Sequence, residues 1–360
     1  MTINLDTEPY KLSCRLPYSF TISGINGKTV EVQILINGQA VYETTLAANK
    51  QAEASFYDLR SLVHDHLEAA LQTVALLDVK ARDNNDTVTL RDPIEVLFAK
   101  IDAPCEDDDE FLASSFLTTR SFYMMPRTCS VNLRYVLTPQ ERATPRLSCV
   151  FQQGRNGTTT YTFDLDAVEN TTYHMGVYSL FLSHDDIRLM ACSRAHTTFE
   201  WLLSVTITLG TRTFSIFFTD EEPPRIFYFK NAYNVEESAY IFGTAKMKSV
   251  FTNKQASVSG VTSFYDRSKE VTWEMETSAL VPEEARWLNQ LFDSPSAYVH
   301  VGNALMEYVL FDGVTSEISD ADNDTIRLKF SYRYESGLEY SPEHPSGTRI
   351  FTQEYTRQFS

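Results

Sequence analysis

Apolar and polar side chains exchange places with a period of two along much of this chain, the signature of half-buried strands. Val30, Val32, Ile34 and Ile36 alternate with Glu31, Gln33 and Leu35, and Asn37-Gly38 follows at once, a strong hairpin signal. Residues 40–46 are the predicted return strand. Residues 52–59 lead into a short helical turn over 59–67. Residues 74–80 and 87–90 are read as a hairpin around Asp83-Asn84-Asn85-Asp86, with a last strand over 93–99. The same period returns at Val131, Leu133, Tyr135 and Leu137, and at Leu203, Val205, Ile207 and Leu209. Asn156-Gly157 and Gly210-Thr211 supply two further hairpin turns, the second returning through Phe214, Ile216 and Phe218.

These two stretches repeat one order of features. Asn37-Gly38 with Tyr42 and Leu46 matches Asn156-Gly157 with Tyr161 and Leu165, at a constant offset of 119 (156 less 37). Phe56-Tyr57-Asp58-Leu59 parallels Val177-Tyr178-Ser179-Leu180, and Leu76-Leu77-Asp78-Val79 parallels Leu202-Leu203-Ser204-Val205. A tandem duplication of one sandwich-like unit would produce this, and chance likeness between all-β stretches competes with it.

A third stretch has a different character. Val271, Trp273 and Met275 alternate with Thr272, Glu274 and Glu276. After them Pro282, Glu283 and Glu284 open a helix in which Ala285, Leu288, Leu291 and Phe292 recur at helical spacing. Composition breaks separate the three stretches. Five consecutive acids, Glu106 to Glu110, are expected to repel one another into an extended, solvated linker. Asp220-Glu221-Glu222-Pro223-Pro224 is the second boundary. The predicted fold is mainly β: sandwich-like modules over 1–104 and 111–220, then a β module over 225–340 with one packed helix at 282–292. Residues 341–360 are read as a C-terminal arm. Pro342, Pro345 and Gly347 free it from its domain, and Ile350, Phe351, Tyr355 and Phe359 are too apolar for an idle end. Those four are the expected interface residues, against the alternative that the tail folds back on its own module.

Residues 225–334 carry a resemblance. An asparagine-rich turn (Phe229-Lys230-Asn231-Ala232-Tyr233-Asn234), an aromatic strand ending in Gly243, and a Trp287-Leu288 helix ending at Ser294 before another aromatic strand are similar to tail-component proteins of tailed bacteriophages and prophages. The resemblance implies a structural subunit of a tail or baseplate, located in the virion and made in the host cytoplasm. It implies other structural proteins of the assembly as partners, and further copies of this chain in a homo-oligomer.

Charge and composition narrow the alternatives. A net charge of −17 opposes binding to nucleic acid or to an anionic membrane surface. No run of about 18 apolar residues is present, and the first residues lack the pattern of a secretory signal. The cysteines, Cys14, Cys105, Cys129, Cys149 and Cys192, are odd in number and widely spaced, which predicts reduced, mostly buried thiols. With 23 Phe and 19 Tyr the chain is rich in aromatics, so a carbohydrate-binding or adhesion module, with a surface glycan as partner, is the second reading. A hydrolase with a site assembled from distant residues is the third.

Candidate chemistry is sparse. His64-Asp65-His66 offers metal-ligating types without a third ligand at local spacing, so a solvated turn is the better reading. Asp320-Ala321-Asp322-Asn323-Asp324 starts like a calcium loop but lacks the glycine at its sixth position and the glutamate at its twelfth. Glu274 and Glu276, roughly 7 Å apart along a strand, match a solvent-facing pair as well as a glycosidase pair. Cys192 and His196 could meet but have no orienting partner in view. Trp201, Trp273 and Trp287 are expected in cores. No catalytic, cofactor or metal site is assigned.

Overall fold

The computed structural model describes residues 1–5, 8–84, 86–102, 105, 107–155, 157–258, 261–301, 305–316, 318 and 325–337. The arm residues Ile350, Phe351, Tyr355 and Phe359 and the acidic loop 320–324 lie outside them. The chain is mostly β, as its alternation predicts, with several sheets. It divides into two compact units. The first is 1–221 together with 230–237; the second is 222–229 together with 238–360. Both sandwich-like modules of the sequence reading therefore fall inside the first unit.

The first module runs β1 (Thr2–Asn4), β2 (Tyr10–Leu12), β3 (Ser19–Ser23), β4 (Thr29–Ile36), β5 (Gln39–Ala47), β6 (Glu53–Tyr57), α1 (Leu59–Ala69), β7 (Val74–Arg82), β8 (Thr87–Thr89) and β9 (Ile94–Leu97). The second runs α2 (Asp108–Ser114), β10 (Phe122–Pro126), β11 (Ser130–Leu137), β12 (Arg142–Ala143), β13 (Pro145–Gln153), β14 (Gly157–Asp164), β15 (Val168–Glu169), β16 (Gly176–Ser183), α3 (His184–Ala195), β17 (Leu202–Leu209) and β18 (Arg212–Thr219).

The two modules share one topology. The main sheets have the order β2-β9-β7-β4-β5 and β10-β18-β17-β13-β14. In each, the first pair is parallel and the rest antiparallel. A second antiparallel pair, β3 with β6 and β11 with β16, recurs too, and a helix links β6 to β7 and β16 to β17. This repeated order is what an internal duplication requires. The correspondence at the helices differs from the sequence alignment. Asp58 and Ser183 are the residues that precede α1 and α3, so Phe56-Tyr57-Asp58-Leu59 answers to Phe181-Leu182-Ser183-His184 rather than to residues 177–180.

The hairpin dipeptides do what their chemistry demands. Asn37 and Gly38 both take positive φ, 51° and 78°, as the β4–β5 turn requires. Gly210 does the same between β17 and β18, at 61°. Alternation then places Val30, Val32, Ile34 and Ile36 in one core with Phe20, Ile22, Val63, Leu67, Leu77 and Val79.

The acid run departs from the expected solvated linker. Asp107 caps α2 by accepting from the Asp109 backbone N–H at 2.9 Å, and Asp108 is buried. Its carboxylate holds Arg15 Nη1 at 3.0 Å and Lys11 Nζ at 3.3 Å. Cations from the first module neutralise the repulsion that would otherwise extend the segment. The helix is fixed at its far end by fully buried Arg212, whose guanidinium donates to the carbonyls of Leu112 and Val136 and pairs with Glu141 at 3.3 Å.

The asparagine-rich turn of the third stretch belongs to the first unit. Asn231 Nδ2 donates to Leu117 O at 2.7 Å and to Glu237 Oε2 at 3.0 Å, while its Oδ1 accepts from the N–H groups of Tyr233 and Val235. Asn234, at a positive φ of 57°, donates to the carbonyls of Leu67, near the end of α1, and Gln72. Tyr233 is buried against Phe111, in a cluster with Leu12, Leu97, Leu112 and Val136. The turn thus ties the two modules together. Asn231→Ala strands one buried carbonyl and two N–H groups, and a loss of about 2 kcal/mol is expected in urea unfolding. Asn253→Ala, on an exposed strand, is expected to shift it by less than about 0.5 kcal/mol.

The second unit is built on β19 (Arg225–Lys230), β20 (Glu236–Ile241), β21 (Gly243–Val258), β22 (Val261–Thr277), α4 (Pro282–Phe292), β23 (Ala297–Val301), β24 (Leu305–Thr315) and β25 (Lys329–Tyr334). They form one seven-stranded sheet, β20-β19-β23-β24-β25-β22-β21. Helix α4 buries Ala285, Leu288 and Leu291 in a core with Phe227, Phe229, Met275, Val299, Phe330 and Tyr332. Trp273 packs at its margin. Trp287 joins this core against Phe229, outside the stripe read from spacing. The expectation of one packed helix holds for this unit, but the chain has three more α-helices among the described residues. Helix α3 was missed because its apolar positions form no regular stripe. Its legible signal is the cap, Ser183, which accepts from the Asp186 N–H.

Burial pushes the Cys149 thiol and the Tyr332 hydroxyl each up to about 12, from ordinary values of 9.0 and 10.0. The fold favours the protonated form of both groups. Their stabilisation is complete below pH 9, where the unfolded thiol is still protonated, and is lost as the pH rises through about 12. The urea midpoint should fall steadily above pH 9, and Cys149 should resist alkylation at pH 8 while the native state persists.

Candidate assembly surface

Strands β21 and β22 are sixteen and seventeen residues long. At about 3.3 Å per residue each spans roughly 50 Å. They pair with each other from Gly243↔Thr277 to Val258↔Val261, whereas β22 pairs with β25 only from Trp273 to Glu276. Beyond that the two strands form a two-stranded ribbon. Gly243 makes its root. It sits at a φ of 135°, where a Cβ would collide with the Glu276 carbonyl, so the strand can begin only with glycine.

The two sides of the ribbon differ. Ala245, Met247, Ser249 and Phe251 lie opposite Met275, Trp273, Val271 and Lys269. Met275 is in the core, and Ala245 and Trp273 pack against it. The same side continues outward through Met247, 52% exposed, and Phe251, 65% exposed. The Lys269 ammonium lies 5.5 Å from the Phe251 ring centre. The other side is charged. Lys248 pairs with Glu274 at 3.4 Å, and Lys329 with Glu276 at 3.5 Å. An apolar stripe therefore leaves the core of the second unit and runs on into solvent. A two-stranded hairpin is marginal by itself in water, so covering this stripe would stabilise it.

A second apolar surface lies on the face of the sheet away from α4. Tyr228, Tyr298 and Tyr308 align across β19, β23 and β24, with His300 and Met306 beside them. Tyr228 and Tyr298 stack at 5.2 Å and 13°, and His300 stacks on Tyr228 at 4.7 Å. Met306, Tyr308 and Leu310 are all exposed.

The sequence candidates fall elsewhere. His64 is half-buried rather than solvated: its Nδ1 bonds Ser13 Oγ at 3.0 Å, and its ring stacks on Phe98. Ser13 is itself buried and accepts from the Ala99 N–H, which makes it a brace between α1 and the segment just after β9. Cys192 Sγ accepts from the Phe199 N–H, and His196 terminates α3 with a positive φ, its backbone N–H donating to the Cys192 carbonyl. Glu274 and Glu276 are each ion-paired on the sheet surface. Trp201 is exposed under the Arg127 guanidinium rather than in a core, because it precedes β17 instead of alternating within it. The five thiols are free, but only Cys149 is buried and the other four are partly exposed.

Among the described residues no group of three or more His, Cys, Asp or Glu is placed to hold a metal ion, and no helix is long and apolar enough to cross a membrane. No protein-family model matches this chain, and no curated protein matches it either.

Proposed function

We propose that this chain is a structural subunit of a multi-protein assembly, a tail or baseplate-type virion component that works through protein–protein contacts. The observation that carries the reading is the ribbon, whose apolar side leaves the core and stands uncovered among the described residues. Exposed apolar surface of this kind marks an interaction site. The choice of a tail or baseplate particle rests on the resemblance of residues 225–334. Partners are other structural proteins of the particle and further copies of this chain.

A glycan-binding module is supported less well. Sugars stack on free aromatic faces, but the Tyr228 ring is already stacked against both Tyr298 and His300. The test is immunogold labelling of tail-like particles from the producing cells, with an antibody against this chain. Gold on the tails is the expected result; unlabelled particles beside abundant soluble chain would overturn it.

A further inference from the structure

The ribbon differs in charge from the rest of the chain. Residues 248–272, beyond Trp273, carry Lys248, Lys254, Arg267 and Lys269 against Asp266 and Glu270. That is four of the 31 basic and two of the 48 acidic residues, a net +2. The other residues keep 27 bases and 46 acids, a net −19. The end strand of the sheet, β21, carries Lys246, Lys248 and Lys254 and no acid.

Two consequences follow for what can cover the apolar stripe. A second β21 laid edge to edge would bring lysine against lysine, which is unfavourable, so a two-fold strand pairing is opposed. An acidic protein surface attracts the arm, and this chain supplies one in every copy. A contact between an arm on one copy and a different surface on the next is heterologous. Such contacts repeat until a ring closes, or continue as a filament.

Resting on the assembly reading, we infer that the β21–β22 ribbon docks head-to-tail on the acidic body of a second copy of this chain. Its Met247 and Phe251 side faces inward, and copies add as a ring or filament rather than closing as a two-fold dimer.

The experiment follows mass distributions of the full chain by mass photometry and sedimentation velocity, at about 50 mM and about 500 mM NaCl. Species larger than dimers are expected, more abundant at the lower salt. Phe251→Asp, and separately Lys269→Glu, the base opposite Phe251 on the same side of the ribbon, should each weaken association by about tenfold or more. These positions are exposed, and unchanged melting temperatures would confirm that both variants fold. A photo-crosslinker at position 251, in a mixture of isotope-labelled and unlabelled chains, should join labelled to unlabelled peptides rich in Asp and Glu.

A chain that stays monomeric at every concentration overturns the inference, as does a closed dimer. Oligomers indifferent to both variants overturn the ribbon's role while leaving an assembly subunit standing. Ribbon-dependent binding of a DNA oligonucleotide or of anionic vesicles, without self-association, also overturns it. Ribbon-dependent oligomers beside unlabelled particles would remove the tail-particle reading alone.

Discussion

Asp108→Ala is expected to destabilise the first unit by about 3 kcal/mol, because it removes a buried carboxylate that both Lys11 and Arg15 reach at the start of α2. The carboxylate is almost fully buried, with 2% of its side chain exposed. Breaking a buried pair usually costs about 3–5 kcal/mol, since the partner charge is left desolvated. Both cations retain some water contact, and Arg15 also bonds Asp102 and the Cys105 carbonyl, which places the expected loss at the lower end. The carboxylate also sits in the first turn of α2, where the N–H groups favour negative charge. Asp109→Ala is the control. Burial, with Asp107 and Glu8 nearby, pushes the Asp109 carboxyl up, so removing it relieves repulsion and should not destabilise. Guanidinium unfolding of the two variants measures the difference. Equal small effects would return the acid run to the role of a solvated linker.

Leu288→Ala should cost the second unit about 3 kcal/mol. Leu288 is buried on the face of α4 that meets Phe227, Phe229, Met275 and Phe330. Truncation removes three carbons and leaves a cavity that a sheet on one side and a helix on the other cannot readily close. Gln290→Ala, on the same helix but outside that core, should change stability by less than about 0.5 kcal/mol. Thermal unfolding followed by near-UV circular dichroism reads the loss through Trp273 and Trp287. A Leu288→Ala protein with an unchanged midpoint would mean that α4 contributes little to its core.

Legibility varied with the range of the interactions involved. The β4–β5 and β17–β18 hairpins were readable because a two-residue turn and the alternation beside it are local properties. Helix α4 was readable for the same reason, through Pro282, two acids and an apolar stripe. The order of strands shared by the two modules left a partial trace in the Asn-Gly spacing. Its helices were misaligned because the insertion between β14 and β16 shifts the second module's register.

What the sequence by itself determined is therefore the mainly β class, the principal turns and the alternation that divides core from surface, since each follows from neighbours a few residues apart. Only the tertiary structure decided where the acid run, the asparagine turn and the ribbon belong. Asp108 is ordered by cations more than ninety positions earlier, at separations of 93 for Arg15. Asn231 reaches a carbonyl 114 residues away, and Asn234 one 167 residues away. Nothing within β21 or β22 shows that β25 stops pairing at Trp273 and leaves the apolar side of Met247 and Phe251 uncovered. Charge neutralisation, carbonyl capping and strand-edge exposure depend on which distant groups arrive, and that is a property of the folded chain.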